Sequence, residues 1–411
     1  MKRGQLESNL LVLVTLALVA FGLVMVYSAT SASAAVGGRD PSYYLKRQAV
    51  FAVLGLGVMI FGARWRYRAL RPLAPTLLLG SLVLLAGVLV AGERVNGARR
   101  WITLGPANFQ PSEVAKIAVV VWAAAYLARR EPPRTLGQLG KPLGVQLGLF
   151  CVLLLAEPDL GTAITIALIL GAMLLVAGTP TGVLARGAGL VVAAGLLAIW
   201  IEPYRRARVF SFVNPWHDAQ GAGFQIVQAM ISLGSGGISG VGLGQGVGKI
   251  NYLPEAHTDM IAATIGEELG LIGLTGLILA YVAFAYAGTR IALSCKDPFG
   301  KYVAAGLTVL VCGQAALNLA AVVGIAPLTG IPLPLVSYGG TSVVVVLASV
   351  GILLNIARNG AAEATARVPD RGRGDRRPRA AVAGGGRGAE RARRPRDVRR
   401  VAGSHRSAAG S

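Results

Sequence analysis

Charged residues are scarce in this 411-residue chain, and their scarcity narrows the class of protein. Only 14% of the residues are Asp, Glu, Lys or Arg, whereas 54% are hydrophobic. A soluble domain carries more charge on its surface, and a disordered chain has far fewer apolar residues. The composition therefore excludes both classes and predicts an all-α, polytopic membrane protein.

Metal-binding cysteine motifs and nucleotide-binding motifs are also missing. The three cysteines, Cys151, Cys295 and Cys312, show no metal-ligand spacing. The glycine-rich run GSGGISGVGLGQGVGKI is not a P-loop, because Leu243 stands where that motif needs its first Gly and Ile250 stands where it needs Ser or Thr. It is not a dinucleotide-binding motif either, because no strand precedes it. The glycines allow the backbone to approach a ligand or another segment closely, with simple loop flexibility as the alternative.

Long apolar runs are what the chain has instead. About ten runs of roughly 17 to 25 residues are long enough to cross about 30 Å of hydrocarbon as α-helices. They begin near Leu10, Ala49, Leu73, Val114, Leu143, Thr162, Val183, Ile261, Tyr302 and Thr341. The connection from Glu202 to Thr258, between the seventh and eighth runs, is predicted to be a large extracytoplasmic loop.

Basic residues predict the orientation. With the amino terminus inside, the inner loops hold about fourteen Lys and Arg and the outer loops about ten. Residues 359–411 add many arginines and almost no large apolar residue, which predicts a transmembrane domain over 1–358 and a disordered, basic, cytoplasmic tail. This tail supplies +9 of the net charge of +21, so the total charge does not indicate nucleic-acid binding by the whole protein. Contact with membrane lipids is our interpretation, and docking to a cytoplasmic partner is the alternative.

One loop on the predicted outer face carries candidate binding residues. The stretch NGARRWITLGPANFQPSEVAK places Arg99 and Arg100 beside a Trp and before a helix, which suits a phosphate group at the headgroup level. Snorkelling toward lipid phosphate is the alternative. Glu113 and Lys116 are three residues apart and are therefore neighbours on one helical face, where an internal ion pair is the alternative to a binding role.

The segment YLPEAHTD ends in Asp259, where an apolar run begins. Carboxylates are costly at membrane depth and tend to face a cavity or a substrate path, so we predict chemistry here, with helix N-capping as the alternative. Glu267 lies about 12 Å further along a helix, at 1.5 Å per residue. That is too far for a paired-carboxylate mechanism. A single carboxylate acting as general base suffices if the leaving group needs no acid.

The segment PLTGIPLPLVSYGG, from Pro327 to Gly340, contains prolines that prevent a regular helix. Irregular backbone at membrane depth needs protein or water around it. We therefore predict a re-entrant or cavity-lining loop, with an ordinary outer loop as the alternative.

These blocks together resemble the SEDS family (shape, elongation, division and sporulation), the polytopic glycosyltransferases that polymerise the lipid-linked peptidoglycan precursor, lipid II. The resemblance runs from about Leu10 to Arg358. RRWITLGPANFQPSEVAK, EPDLGT, GFQIVQ, GSGG, YLPEAHTD with GEELG, and PLTGIPLPLVSYGGTS all occur in family order. The local sequence around Lys249 and Gly266 is more similar to the cell-division FtsW type than to the elongation RodA type.

The resemblance implies residue roles. Asp259 would be the catalytic base that takes the proton from the GlcNAc 4-hydroxyl of an acceptor lipid II, while undecaprenyl pyrophosphate leaves the donor. Substrate-binding roles are implied for five further residues: Arg100, Glu113, Lys116, Lys249 and His257. The one cofactor that the resemblance leaves open is a divalent cation such as Mg²⁺ or Mn²⁺.

The resemblance also implies partners and a location. The partners are lipid II, a class B penicillin-binding protein that cross-links the product, other division proteins and membrane lipids. The location is the cytoplasmic membrane at the division septum, with both termini in the cytoplasm. Two alternatives remain: a lipid II flippase, which Glu267 and Glu268 inside a span would suit, and a non-catalytic division scaffold, which would tolerate replacement of Asp259.

Overall fold

The structure, a computed structural model, describes residues 5–38, 40–95, 98–105, 107–250 and 253–360. Apart from its first two residues, the predicted basic tail lies outside the described residues. The helices are α1 (Gln5–Val36), α2 (Tyr43–Arg64), α3 (Leu70–Ala91), α4 (Pro111–Leu127), α5 (Leu136–Leu139), α6 (Val145–Ala156), α7 (Leu160–Ala177), α8 (Thr181–Ile201), α9 (Pro203–Val213), α10 (Phe224–Gly236), α11 (Ile261–Ser294), α12 (Pro298–Val322) and α13 (Gly340–Asn359).

The helices agree with the predicted membrane spans. Within the described residues, nine helical stretches are long and apolar enough to cross a membrane, one of them formed by α5 and α6 together. The remaining predicted span, the fourth in chain order, is α4, whose 17 residues are at the lower end of what a crossing helix needs. The prediction of a helical, polytopic membrane protein with a large loop before the eighth span is confirmed.

A small antiparallel sheet between α3 and α4 was not predicted. Its strands are β1 (Glu93–Val95), β2 (Ala98–Leu104) and β3 (Ala107–Phe109), in the order β1-β2-β3. Two of them are only three residues long, so no alternating pattern marks them in the sequence. The sheet gives the loop that carries Arg100 a defined backbone.

The helices differ strongly in how deeply they are buried. In α4, thirteen of seventeen residues are buried, whereas Val183 is the one buried residue of α8. Alanine and valine dominate α4, and small side chains let neighbouring backbones approach closely in the absence of a strong hydrophobic force between helices in lipid. The central position of α4 takes Glu113 and Lys116 into the protein interior, while α8 lies at the edge.

α11 is broken at Gly270, and the glycine-rich run packs into the break. Gly270 has φ 63° and ψ −160°, a conformation that is essentially restricted to glycine. Four backbone hydrogen bonds of 3.0 to 3.2 Å join the run to the helix around the break: Val241 N–H to Glu267 C=O, Gly242 N–H to Glu268 C=O, Leu271 N–H to Gly237 C=O, and Ile272 N–H to Ile238 C=O. The groups that lose their helical partners are thereby satisfied within the protein.

Close contact, not loop flexibility, explains the glycines of this run. A Cβ atom at Gly240, whose φ is +82°, would lie 2.2 Å from the carbonyl oxygen of Glu268. Any side chain there would displace the helix. The short helical segment from Ile261 to the break is therefore held by the loop as well as by the rest of α11.

We expect Gly270→Ala to destabilise the protein by about 1–3 kcal/mol, because alanine is strained at this backbone conformation. The new methyl group would also lie 2.4 Å from the backbone nitrogen of Gly240. The midpoint of thermal unfolding in detergent measures the effect. Gly276→Ala is the matched control on the same helix, since no atom lies within 4 Å of the added carbon. Equal midpoints for the two variants would contradict the role assigned to the break.

Candidate active site

A cavity of about 830 Å³ is lined by three of the six predicted functional residues. Its wall is formed by the amino-terminal part of α2, by β2 and the start of α4, by the α6–α7 turn, by α9, by the loop before α11, and by the proline-rich loop and the start of α13. Asp259, Arg100 and Glu113 line it. Lys116, Lys249 and His257 do not belong to its lining, although all three lie in well-defined surroundings.

Asp259 is positioned through its backbone. The Asn318 side-chain amide donates to the Asp259 carbonyl at 2.7 Å and to the Ile331 carbonyl at 2.8 Å, and so ties the loop to the proline-rich segment. The Ser337 hydroxyl donates to the Thr258 carbonyl at 2.6 Å. The sequence did not indicate either role, because a polar residue inside a span, such as Asn318, or in an irregular loop, such as Ser337, does not reveal its partner.

The Asp259 carboxylate does not cap α11. The helix begins at Ile261 with Met260 as N-cap and without a side-chain capping hydrogen bond. The carboxylate accepts from the hydroxyl of Thr258 at 3.3 Å and faces the cavity. The capping alternative is therefore wrong, and the side chain is available for chemistry.

The surroundings of Asp259 raise its pKa to about 6, mainly because burial disfavours the charged form. The nearby negative charge of Glu255 raises this pKa further, while the guanidinium of Arg208 lowers it. A carboxyl with a pKa near 6 is mostly ionised at neutral pH and is a stronger base than an ordinary aspartate. These are the properties that a general base requires.

Four arginines line the same cavity, and sequence reasoning identified only one of them. They are Arg47 on α2, Arg100 on β2, and Arg205 and Arg208 on α9. The lining also contains the acidic residues Glu113, Asp159, Glu202 and Glu255 besides Asp259, so the wall carries charges of both signs. Arg208 is the arginine whose charge acts on Asp259. The amphipathic pattern of PYRRARVFSFV was the signal that could have located the α9 pair.

The two neighbouring arginines of β2 have different environments. Arg100 donates to the backbone carbonyls of Glu157, at 3.0 Å, and Pro158 in the turn between α6 and α7. Arg99 donates to the Leu89 carbonyl at 2.9 Å, in the last turn of α3, and is not part of the cavity lining. The alternation of side chains along a strand separates the two residues.

The turn between α6 and α7 places two carboxyl groups behind Arg100. Asp159 lines the cavity and caps α7 by accepting from the backbone N–H of Thr162 at 3.1 Å. Glu157 is fully buried. Burial, together with the charge of Asp159, raises the pKa of Glu157 to about 8, so this carboxyl is mostly protonated at neutral pH.

Glu113 and Lys116 form the internal ion pair that the sequence offered as one alternative. Lys116 Nζ lies 2.7 Å from Glu113 Oε1, and both side chains are buried. With the Gln314 amide oriented to satisfy both of its groups, its oxygen accepts from Lys116 Nζ at 2.6 Å. Lys116 thus holds Glu113 in the cavity wall, and substrate contact by either residue stays a prediction.

Lys249 belongs to a second polar cluster, away from the cavity. Its Nζ lies 2.6 Å from Glu268 Oε1, with both side chains buried, and it also donates to the Gly244 carbonyl at 2.8 Å. Glu268 accepts from the hydroxyl of Ser28 at 2.6 Å and from the Gly244 N–H at 3.1 Å. The ion pair turns the Lys249 side chain toward α11. Substrate binding by Lys249 stays a prediction.

Glu267 completes the attachment of the glycine-rich run. Its Oε1 accepts from the backbone N–H groups of Val247, at 2.8 Å, and Gly248, at 3.0 Å. The two carboxylates that favoured a transporter are therefore bound to the protein's own loop.

His257 packs in an aromatic cluster beside Asp259. Its ring centroid lies 4.9 Å from that of Tyr44 and 5.5 Å from that of Tyr338, and its carbonyl accepts from the Tyr338 N–H at 2.8 Å. Burial lowers the pKa of His257, which favours the neutral imidazole. The ring connects α2, the Asp259 loop and the proline-rich loop.

The proline-rich loop lines the cavity, as predicted. Gly330, Ile331 and Pro332 form part of the wall, as do Tyr338 and Gly339. The segment between them is buried, with Leu333, Val336 and Ser337 each at most 2% exposed. Its irregular backbone is therefore covered by protein.

A divalent cation needs several protein ligands that converge on one point. Among the described residues, no three or more His, Cys, Asp and Glu side chains come together in a way that could hold a metal ion.

Comparison with protein families identifies the chain's relatives. A family profile described as "Cell cycle protein", which joins FtsW, RodA and SpoVE, matches residues 8–362. The chain belongs to this family. The resemblance predicted from the sequence blocks is confirmed. The profile covers every described helix except the first three residues of α1.

Individual relatives agree with this assignment. This family member is 43% identical over 350 residues to a Geobacter sulfurreducens protein named "Probable peptidoglycan glycosyltransferase FtsW", which covers 84% of this chain and 94% of that protein. A solved structure described as "Structural coordination of polymerization and crosslinking by a peptidoglycan synthase complex" matches with a TM-score of 0.72 at 31% identity, over 85% of this chain and 96% of the other. The crystal structure of Thermus thermophilus RodA matches with a TM-score of 0.64 at 30% identity, over the same shares.

In this FtsW/RodA/SpoVE-family protein, we expect Lys249→Met to destabilise the fold by about 3–5 kcal/mol, because it leaves Glu268 as a buried charge without its counter-ion. The double variant Lys249→Met with Glu268→Gln removes both charges and should recover most of the loss. Thermal unfolding in detergent measures both effects.

The same pair of variants separates a structural role of Lys249 from substrate binding. If the Lys249–Glu268 ion pair is only structural, the double variant also recovers glycosyltransferase activity. If Lys249 binds substrate, the double variant is stable but inactive, and the assignment made here is wrong.

Proposed function

We propose that this chain is a peptidoglycan glycosyltransferase that polymerises lipid II at the outer face of the cytoplasmic membrane during cell division. The observation that carries the proposal is that Asp259 and four arginines line one cavity of about 830 Å³. A base in one cavity with several guanidinium groups suits a transfer reaction whose leaving group is a diphosphate. Family membership and the name of the Geobacter relative support glycosyl transfer as the reaction class.

In the proposed reaction, Asp259 takes the proton from the GlcNAc 4-hydroxyl of an acceptor lipid II. The resulting oxygen attacks the anomeric carbon of the donor's MurNAc, and a new glycosidic bond forms. The bond from that carbon to the diphosphate oxygen breaks, and undecaprenyl pyrophosphate leaves with the electron pair. Arginines offset the charge that develops on the leaving group, and Asp259 then loses its proton to water.

Several features favour this reaction over transport. Glu267 and Glu268, the carboxylates that suited a flippase, are hydrogen-bonded to the glycine-rich run. The raised pKa of Asp259, about 6, suits a base that must gain and lose a proton in each cycle. A non-catalytic scaffold transfers no proton, so it would not need a raised pKa at Asp259.

A cross-linking partner is part of the proposal. The solved complex that this chain resembles is described as coordinating polymerization and crosslinking. A class B penicillin-binding protein would perform the second of these steps for this chain. The proposed location is the division septum, with both termini in the cytoplasm.

We expect Asp259→Asn to reduce lipid II polymerisation by about 100-fold or more, because a positioned general base contributes that much to the rate. The assay uses purified lipid II and purified protein, with and without the candidate penicillin-binding partner. Asp218→Asn is the matched control, since Asp218 lies in the same long loop but outside the cavity lining.

Two outcomes would contradict the proposal. Glycan synthesis by Asp259→Asn at the wild-type rate would show that another residue is the base. A folded wild type that makes no polymer with the partner, but moves lipid II across proteoliposome membranes, would favour the flippase.

The pH dependence provides a second test. The polymerisation rate should fall as the pH decreases through about 6, because protonated Asp259 cannot act as a base. Glu255 raises the pKa of Asp259, so Glu255→Gln should shift this acidic limb to lower pH. Initial rates measured from about pH 5 to about pH 8 show the shift, and an unchanged limb would assign it to another group.

A further inference from the structure

α9 is an amphipathic helix with little support from the rest of the protein. Among its eleven residues, Ser211 is the one that is buried. Phe210 and Val213 are 64% and 74% exposed. At 100° per residue, these two side chains lie on the side of the helix opposite Arg208, which lines the cavity.

α9 begins where a membrane-spanning helix ends. α8 has 21 residues, so it is about 31 Å long and matches the hydrocarbon thickness. Pro203 is the first residue of α9, and Glu202 alone separates the two helices. Trp200 is 66% exposed in the last turn of α8, the position at which tryptophan marks a membrane boundary.

A second cavity shows how little protein supports α9 on another side. This space of about 250 Å³ is lined by Tyr204 and Arg208 of α9 and by Phe224, Gln225 and Pro254 across from it. An exposed apolar face next to arginines, at the level of the headgroups, fits a lipid surface better than water.

The two inward arginines of α9 have different roles. Arg205 donates to the carbonyls of Ala198, at 3.1 Å, and Leu155, at 2.6 Å, and thereby ties α9 to the ends of α8 and α6. Arg208 makes one long hydrogen bond, 3.4 Å to the Leu328 carbonyl, and its guanidinium stacks 4.8 Å from the Tyr204 ring. A guanidinium has five N–H donors, so Arg208 retains donors for a ligand.

We propose that α9 is an interfacial helix whose Phe210 and Val213 face lies in the headgroup layer, and that it thereby holds Arg208 in the cavity wall as a contact for the diphosphate of the lipid-linked substrate. The inference rests on the proposed function. A lipid-linked diphosphate has its chain in the hydrocarbon and its phosphates among the headgroups, the same layer as α9. Arginine binds phosphate bidentately, and stacking on Tyr204 fixes the plane of its donors.

The first test measures ligand binding without turnover. Purified protein in nanodiscs is titrated with undecaprenyl diphosphate and, separately, with undecaprenyl monophosphate. Arg208→Gln should weaken diphosphate binding about tenfold or more, which is the usual cost of losing a charged hydrogen bond, and Arg208→Lys should lose less. Arg206→Gln is the matched control, because Arg206 lies on the outer side of α9, 5.8 Å from the Trp200 ring.

Wild-type affinity in a folded Arg208→Gln variant would overturn the inference. If that variant binds normally while Asp259→Asn still abolishes polymerisation, only the role of Arg208 is wrong. If wild type neither binds the diphosphate nor polymerises lipid II, the proposed function itself is wrong. Thermal unfolding of each variant separates lost binding from lost folding.

The second test locates α9 relative to the bilayer. In a chain with Cys151, Cys295 and Cys312 replaced by Ala, an environment-sensitive fluorophore is attached at Phe210→Cys or at Asp218→Cys. Nitroxide lipids labelled near the headgroup should quench the first probe strongly and the second weakly. Equal quenching at both positions, or free access of a water-soluble quencher to the first, would contradict the interfacial position.

Discussion

The main constraint on this structure is that backbone groups inside a membrane protein need partners. α11 cannot continue as a regular helix through Gly270, and the lost helical bonds are replaced by bonds to the glycine-rich run. Glu267 and Glu268 then fix the same run through their side chains. The break therefore converts the start of α11 into a separate platform, and Asp259 immediately precedes it.

The site depends on loops that are held as firmly as helices. Asn318 on α12 contacts both the Asp259 loop and the proline-rich loop. Ser337, in the proline-rich loop, contacts the Asp259 loop. His257 adds aromatic contacts across the same junction. Irregular segments can provide a defined site only when their polar groups are satisfied in this way, because each unsatisfied group would favour a different conformation.

The sequence predicted the spans, the long loop and the candidate base, since each depends on local composition or on the cost of charge near lipid. It did not predict the partners of the charged residues. Lys249 and Glu268 are nineteen positions apart and meet only because the glycine-rich run folds back, while Asn318 and Asp259 meet across two helices. Arg47 and Arg208 show the same limitation, because only the fold brings α2 and α9 to one cavity. Short strands such as β1 and β3 have too few residues for a recognisable period.

The Asp259 loop is held through its main chain. The hydrogen bonds from Asn318 and Ser337 go to main-chain carbonyls at residues 259 and 258, not to the carboxylate. Placement and protonation are therefore independent, and the side chain can change its charge while the loop keeps its geometry. A chain carrying Asp259→Asn would keep a fully formed pocket that lacks only the proposed base, which makes it suitable for capturing the substrates of the proposed reaction before they react.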